Sequence, residues 1–256
     1  MSRDGGCQNS GMAIDITALI TLHREGCLAQ PTLRSLQHSA DHARAQGLKV
    51  EILVVLDKAD AETRRVAQTY AERHPEVRLH EVQVGDLSLA RNAGIAEARG
   101  RFLGTHDGDD LYSSNWLLAS ARLLATQRQP TILHPELMVC FDQLQMYFWQ
   151  FDQTDEQRYR PHTALMVNYW NACSFAERRT YLEHPYQVAR VGEAGFGFED
   201  WHWNCETTAA GFVHRVTPRT IRFERRKAAG SLNSAHAAAK ALIRPSRFFE
   251  TLEAAP

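Results

Sequence analysis

The sequence predicts an α/β fold, in which helices flank a mainly parallel sheet and a less regular α+β half follows. Three observations support this prediction. Apolar runs alternate with helical patterns four times in the first 112 residues, which is typical of repeated strand-helix units. Several of these runs end in polar or acidic residues, and such sheets bind ligands beyond the carboxyl ends of their strands. After residue 112 the alternation stops.

The first two strand-helix units are the most regular. Residues 14–21 and 50–56 are apolar, β-branched runs that predict buried strands. Between them, apolar and small residues recur at helical spacing over residues 30–46, and a second helical pattern follows Asp60, a candidate N-cap. Thr21, His23 and Asp57 therefore lie at or just beyond the carboxyl ends of two predicted strands.

The next two units end in an acidic motif. Residues 77–84 change their apolar phase at His80 and Glu81, which predicts a bulge or an edge strand. Residues 87–98 predict a helix of small residues suited to close packing. A fourth strand then runs into Asp107-Gly108-Asp109-Asp110.

Three carboxylates within four residues repel one another unless a cation lies among them. Asp107 and Asp109 are two apart, so an extended chain points both the same way. This arrangement suits Mg²⁺ or Mn²⁺, which take one or two protein carboxylates. An acidic surface turn is the alternative, because Asp and Gly are common in turns. Asp110 is expected to cap the following helix instead.

Beyond residue 112, the prediction is an α+β half that shapes the pocket of a second substrate. Its predicted elements are a helix capped by Ser113 or Ser114 and running to about residue 128, strands over residues 131–139 and 170–175, and an aromatic segment over residues 141–151.

Glu199 and Asp200 begin another predicted helix, directly after a glycine-containing segment. The N-terminus of a helix favours ionised carboxylates, and capping explains one acid there but not two. Apolar spacing places Trp201 in the core and leaves His202 and Trp203 off the buried face, able to contact a sugar. A basic run over residues 222–227 and a terminal helical segment around His236 follow.

Composition excludes several classes of protein. Lys and Arg total 29 against 30 Asp and Glu, which disfavours a nucleic-acid binder. The five cysteines include no C-x-x-C pair, so neither a zinc site nor a disulfide framework is indicated. The sequence contains no long apolar run or signal peptide, and we expect a cytoplasmic protein with a disordered leader over residues 1–12. It also lacks a P-loop and a G-x-G-x-x-G fingerprint.

In order and spacing, these motifs resemble those of glycosyltransferase family 2, the inverting nucleotide-sugar transferases with the GT-A fold. The resemblance covers residues 14–232. The matching segments are the first strand with residues 21–24, residues 54–60 (VVLDKAD, with Leu56 in place of the first acid of the family's pair), residues 89–95 (LARNAGI), the DGDD motif at residues 107–110, and residues 198–201 (FEDW).

The resemblance implies a nucleoside diphosphate sugar donor, a saccharide or other hydroxyl acceptor, and Mn²⁺ or Mg²⁺ as cofactor. The donor would be bound by Thr21, His23, Asp57, Arg91, Asp107, Arg225 and Arg226. Asp109, with Asp107, would hold the metal. Asp200 would take the proton from the acceptor hydroxyl and Glu199 would bind acceptor hydroxyls, or the two roles would be exchanged.

Alternatives remain for several of these residues. Arg91 could instead form a surface ion pair with Asp86 or Glu97, and the basic run ending in Lys227 could be a solvated surface rather than a loop that closes over the diphosphate.

The expected organisation is one domain over residues 13–232, followed by a helical tail over residues 233–256. Residues 13–112 would bind the nucleotide sugar, and residues 113–232 the acceptor. The expected activity is that of a hexosyltransferase in bacterial polysaccharide or glycoconjugate synthesis, with peripheral membrane contact left open. The competing hypotheses are a sugar nucleotidyltransferase and a non-catalytic nucleotide-binding module.

Overall fold

The structure is a computed structural model that describes residues 13–228 and 230–253. The predicted leader over residues 1–12 lies outside these ranges. The strands are β1 (Ile16–Leu22), β2 (Val50–Asp57), β3 (Val77–Val82), β4 (Phe102–Asp107), β5 (Leu111–Tyr112), β6 (Thr131–Asp142), β7 (Met146–Trp149), β8 (Phe175–Glu177) and β9 (Val213–Arg226). The helices are α1 (Ala29–Arg44), α2 (Ala61–Arg73), α3 (Leu87–Glu97), α4 (Trp116–Ala125), α5 (Arg178–Glu183), α6 (Val191–Ala194), α7 (Glu199–Ala209), α8 (Leu232–Ala238) and α9 (Arg247–Glu253).

The first four strands form the predicted parallel sheet, in the order β3-β2-β1-β4. Every residue of β1 and β2 is buried, as expected where helices cover both faces of a sheet. β3 lies at the edge and keeps a continuous register with β2. The predicted edge position is therefore confirmed, whereas the predicted bulge at His80 and Glu81 is wrong. An edge strand tolerates the change of phase because its side chains are only partly buried.

The helices of this half pack as their sequences predict. Asp60 caps α2 by accepting a hydrogen bond from the Thr63 backbone N–H at 2.8 Å. A Cβ at Gly94 in α3 would come within 2.5 Å of the Leu19 and Val55 side chains. The small residues of α3 thus allow a close approach to the sheet.

The second half extends the sheet through β8, which is antiparallel to β4 and to β6, whereas β6 and β9 are parallel. β8 pairs with both β4 and β6, and β6 pairs in turn with β9 and β7. The aromatic segment over residues 141–151 includes the β6–β7 turn and β7. The predicted strand over residues 170–175 is largely wrong, because only Phe175 of it belongs to β8 and the preceding residues are irregular.

The helix-capping predictions at α4 are also wrong. The N-cap position is Asn115, whose side chain makes no capping hydrogen bond. The Ser113 hydroxyl instead accepts from the Ile221 backbone N–H. The Asp110 carboxylate accepts from the Arg222 side chain and the Arg225 backbone N–H. Ser113 and Asp110, which local spacing predicted to cap α4, therefore form hydrogen bonds to β9 instead.

The buried face of α7 differs from the predicted one. Trp203 is 2% exposed and packs against Tyr181 and Tyr186, with both centroid distances at 5.1 Å. His202 is buried as well, while Trp201 is only partly buried. Helical periodicity predicted that Trp201 is buried and Trp203 is not. The opposite is found, because Tyr181 of α5 and Tyr186, just after that helix, pack against Trp203.

The basic run over residues 222–226 is part of β9 rather than a loop. After it, the chain returns to α7: the Gly197 backbone N–H donates to the Leu242 carbonyl at 2.9 Å, and Phe248 of α9 packs with Cys205. Among the described residues, no helix combines the length and the apolar character that a membrane span requires.

Candidate active site

A cavity of about 1100 Å³ opens at the carboxyl ends of the parallel strands. Thr21 of β1 pairs with Asp107 of β4 at this edge, and Asp57 is the last residue of β2. The cavity is lined by every residue that the sequence singled out for catalysis, donor binding or metal binding: Thr21, His23, Asp57, Arg91, Asp107, Asp109, Glu199, Asp200, Arg225 and Arg226. The fold thus brings distant motifs to one place.

Asp57 and His23 are held by backbone groups. One Asp57 carboxylate oxygen accepts hydrogen bonds from the backbone N–H groups of Val84 and Gly85, both at 2.9 Å. His23 Nδ1 lies 2.6 Å from the Asp57 carbonyl oxygen. A carbonyl only accepts hydrogen bonds, so Nδ1 of His23 carries a proton. Asp57 therefore anchors the loop after β3 at the same time as it lines the cavity.

Arg91 is 2% exposed and forms two ion pairs across the cavity floor. Its Nη2 lies 2.6 Å from Asp107 Oδ1, and its Nη1 lies 2.8 Å from Glu199 Oε1. The alternative of a surface ion pair is wrong, because α3 turns this side chain inward and Asp86 instead caps the helix through the Leu89 backbone N–H. Arg91 links the acidic motif of β4 to the first turn of α7.

A second buried guanidinium, that of Arg222, holds the same motif from the other side. Arg222 Nη2 lies 2.7 Å from Asp107 Oδ2, and Nε lies 2.7 Å from Asp110 Oδ2. Burial raises the pKa of Asp107, but the charges of Arg91 and Arg222 outweigh it, so that its pKa falls below the ordinary value. Sequence reasoning missed this role of Arg222, because its burial depends on the pairing of β9 with β6 and β5.

Arg225 near the end of β9 and Lys227 just after it also cover Asp109. Lys227 Nζ lies 2.6 Å from Asp109 Oδ2, and Arg225 Nε donates to the Asp109 carbonyl at 3.1 Å. Arg226 pairs with Glu224 at 3.0 Å. The alternative of a solvated basic run is therefore wrong for Arg225 and Lys227, which lie against the acidic motif and line the cavity.

Glu199 and Asp200 occupy the first turn of α7 and differ in their partners. Glu199 is tied to Arg91, whereas Asp200 Oδ2 accepts a hydrogen bond from the Asn168 side chain at 3.0 Å. Burial, together with the neighbouring Glu199 charge, raises the pKa of Asp200 to about 7. A carboxylate with such a pKa exchanges a proton near neutral pH, which suits a general base. Asn168 had no sequence signal, because it lies in an irregular segment.

The structure gives mixed support for the predicted metal site. Among residues 13–228 and 230–253, no group of three or more His, Cys, Asp and Glu side chains is arranged to hold a metal ion. Mg²⁺, however, commonly binds through one or two carboxylates and completes its shell with water and phosphate oxygens. The Asp109 carboxylate at the cavity wall fits that pattern once Oδ2 is released from its ion pair with Lys227. Both oxygens of Asp107 accept from guanidinium groups.

Solved structures share this architecture. S. aureus TarS 1-349, in complex with UDP-GlcNAc, matches with a TM-score of 0.65 and 14% identity, over 93% of this chain and 64% of that chain. The mannosyltransferase PcManGT from Pyrobaculum calidifontis, in complex with GDP-Man and Mn²⁺, matches with a TM-score of 0.60 and 15% identity, over 96% of this chain and 66% of that chain. These likenesses establish the GT-A fold of glycosyltransferases.

Sequence comparison then identifies the family. The uncharacterized glycosyltransferase EpsJ of Bacillus subtilis (strain 168) is 42% identical over 65 residues, which make up 25% of this chain and 19% of that protein. Glycosyl transferase family 2 matches residues 17–178, more than half of the chain. The chain belongs to glycosyltransferase family 2. Glu199 and Asp200 lie beyond the matched residues, so their assignment depends on the geometry of the cavity.

Proposed function

We propose that the protein is a metal-dependent, inverting glycosyltransferase that moves a hexose from a nucleoside diphosphate sugar to a hydroxyl of a saccharide or other acceptor. The proposal includes a cytoplasmic location and a role in bacterial polysaccharide or glycoconjugate synthesis. The observation that carries it is the convergence of Asp109 and Asp200, from opposite halves of the chain, on one cavity. UDP-GlcNAc and GDP-Man, bound in the two similar structures, support a donor of this class.

The donor would lie along the carboxyl ends of the parallel strands. Thr21, His23 and Asp57 present polar groups to the nucleoside, and Asp109 would hold Mn²⁺ or Mg²⁺, with Asp107 as a second ligand if a guanidinium moves aside. When bound, such an ion offsets the charge of the diphosphate and stabilises the departing nucleoside diphosphate. Arg225, Arg226 and Lys227 add positive charge on the β9 side, which suits the same diphosphate.

The acceptor would approach from the α7 side. Asp200 takes the proton of the acceptor hydroxyl as its oxygen attacks the anomeric carbon opposite the leaving group, so the configuration inverts. Glu199, held by Arg91, orients acceptor hydroxyls. The partners support this assignment, because Glu199 is committed to an ion pair while Asp200, with a pKa of about 7, is the acid that can exchange a proton.

The competing functions are less well supported. A sugar nucleotidyltransferase usually carries a glycine-rich basic loop after its first strand, and residues 22–28 contain one glycine and no lysine. A non-catalytic module has no need of a base, whereas Asp200 is retained at the cavity and its pKa is raised. Membership of glycosyltransferase family 2 also favours sugar transfer.

Two carboxylate variants test the proposal. A thermal-shift panel of UDP-, GDP- and dTDP-sugars, with and without Mn²⁺, first identifies the donor, because a ligand that binds the folded state raises its melting temperature. Asp200→Asn is expected to lower kcat by about 10²- to 10⁴-fold while the Kd of the donor nucleotide is kept. Asp109→Ala is expected to weaken Mn²⁺-dependent nucleotide binding.

Asp155→Asn removes a carboxylate outside the cavity lining and serves as the control for both variants. A wild-type transfer rate in Asp200→Asn would exclude Asp200 as the base. Mn²⁺-dependent binding that is unchanged in Asp109→Ala would exclude Asp109 as the metal ligand.

A further inference from the structure

A chain of hydrogen bonds lies behind Asp200. Asn204 Nδ2 donates to the Trp170 carbonyl at 3.1 Å and to Asn168 Oδ1 at 2.9 Å. Asn168 Nδ2 then donates to Asp200 Oδ2 at 3.0 Å. Asn204 is 3% exposed and follows Asp200 by one turn of α7, which places the two side chains on the same face of the helix.

The hydrogen bond from Asn204 to the Trp170 carbonyl fixes the direction of the other two hydrogen bonds. A backbone carbonyl only accepts, so Asn204 must turn its NH₂ group towards Trp170. Both protons of that group are then used, and Asn168 must offer its oxygen to Asn204. The NH₂ group of Asn168 is thereby left to face Asp200. Reversing Asn168 would set two NH₂ groups against each other and an amide oxygen against the carboxylate.

We propose that Asn168 and Asn204 are positioning residues that hold the Asp200 carboxylate in one orientation and keep it ionised for proton abstraction. This inference depends on the proposed function, in which Asp200 is the base. An N–H donor stabilises a carboxylate more than the corresponding acid. Asn204 acts through Asn168, because it decides which end of that amide Asp200 meets.

The choice of an amide has a physical reason. A guanidinium in the same position would hold the carboxylate firmly but would depress its pKa and weaken it as a base, as Arg91 and Arg222 do for Asp107. A neutral donor orients the group at a smaller cost in basicity. The pair of acids on α7 is thus divided: Glu199 pairs with a charged partner and Asp200 with a neutral one.

The pH dependence of transfer tests this inference in single-residue variants. In Asn168→Ala, kcat is expected to fall about 10-fold and the acidic limb of the kcat profile to move up by about one pH unit, with the KM of the donor unchanged. Asn168→Asp places a second carboxylate against Asp200 and is expected to move the limb further. Asn204→Ala is expected to give a smaller shift in the same direction, because Asn168 can then rotate.

Asn171→Ala is the matched control. Asn171 lies in the same segment, but its side chain bonds to Met138 Sδ and to the Cys173 backbone N–H, not to Asp200. It is expected to leave the acidic limb in place. If it moves the limb as far as Asn168→Ala does, general loosening of the segment explains the effect and the inference fails.

A second readout does not need transfer activity. The side-chain ¹³C resonance of Asp200, followed by NMR against pH, is expected to titrate at higher pH in Asn168→Ala than in the wild type. Unchanged titration in a folded Asn168→Ala would overturn the inference. Retained transfer in Asp200→Asn would instead overturn the proposed base, and the NMR titration distinguishes these two failures.

Discussion

The two halves of the chain deliver their functional side chains in different ways. In residues 13–112, Thr21, Asp57 and Asp107 stand at or near the carboxyl ends of buried parallel strands. In residues 113–232, the acid pair on α7 follows Phe198, a non-glycine residue with φ of 54°. The first half thus places its site by regular local structure, whereas the second half depends on how irregular segments pack.

Two buried arginines join these halves at Asp107. Arg91 comes from α3 and reaches α7 through Glu199, while Arg222 comes from β9 and reaches the motif after β4. A buried charge left without its partner is costly. The junction is therefore sensitive to loss of either guanidinium, and it offers the clearest test of how the halves are coupled.

The largest expected effect is that of Arg222→Met. It leaves Asp107 and Asp110 without a shared guanidinium, and the free energy of unfolding is expected to fall by about 3–5 kcal/mol in urea titrations at pH 7. Because Arg91 and Arg222 keep the pKa of Asp107 below its ordinary value, the stability that Asp107 contributes is present above about pH 4 and is lost as the pH falls through the lower folded-state pKa. The deficit of the variant should shrink accordingly in acid.

Arg179→Met is the control for Arg222→Met. Arg179 is largely exposed and pairs only with Glu177 among the described side chains. Its loss is expected to cost at most about 1 kcal/mol. Equal losses in the two variants would show that Arg222 does not join the halves.

Two glycine variants, one in each half, test how tightly the neighbouring atoms are packed. A Cβ at Gly100 would come within 2.3 Å of the Thr17 backbone nitrogen, whereas a Cβ at Gly192 would meet no atom within 4 Å. Gly100→Ala is therefore expected to lower the free energy of unfolding by about 1–3 kcal/mol. Gly192→Ala is expected to be neutral or slightly stabilising. Similar unfolding curves for both variants would contradict the close backbone approach beside β1.

The last expected effect concerns the free energy of unfolding that ionised Asp200 costs. Its folded-state pKa of about 7 lies above its unfolded value, so the stability linked to its protonation is present in acid and is lost as the pH rises towards 7. Asp200→Asn removes this loss. The variant is expected to gain about 2–3 kcal/mol over the wild type at pH 8 relative to pH 5, in paired urea titrations, because the wild type loses about two pH units of differential protonation over that range. Parallel pH profiles for the two proteins would show that Asp200 is not under this strain.

Prediction from sequence succeeded where the signal was local. The alternation of strands and helices, the cap at Asp60 and the close packing of α3 each depend on residues near one another in the chain. It failed for Trp203, which is buried against Tyr181 of another helix. It also failed for Asp110, which bonds to Arg222 of β9 instead of capping a helix. Nothing in the sequence indicated the partners of Asn168, or those of Arg222 within the basic run, because each acquires its partners through contacts more than thirty residues away.

The sequence alone was enough to predict the α/β class, the four parallel strands and the motifs that line the cavity, because continuous apolar runs mark buried strands and parallel strands end at one edge of the sheet. The tertiary structure assigned the partners within that cavity. Arg91 pairs with Asp107 and Glu199, Lys227 pairs with Asp109, and Asn168 bonds to Asp200. Buried charges and polar groups need partners. Here those partners come from segments distant in sequence, so only the folded structure decides which side chains meet.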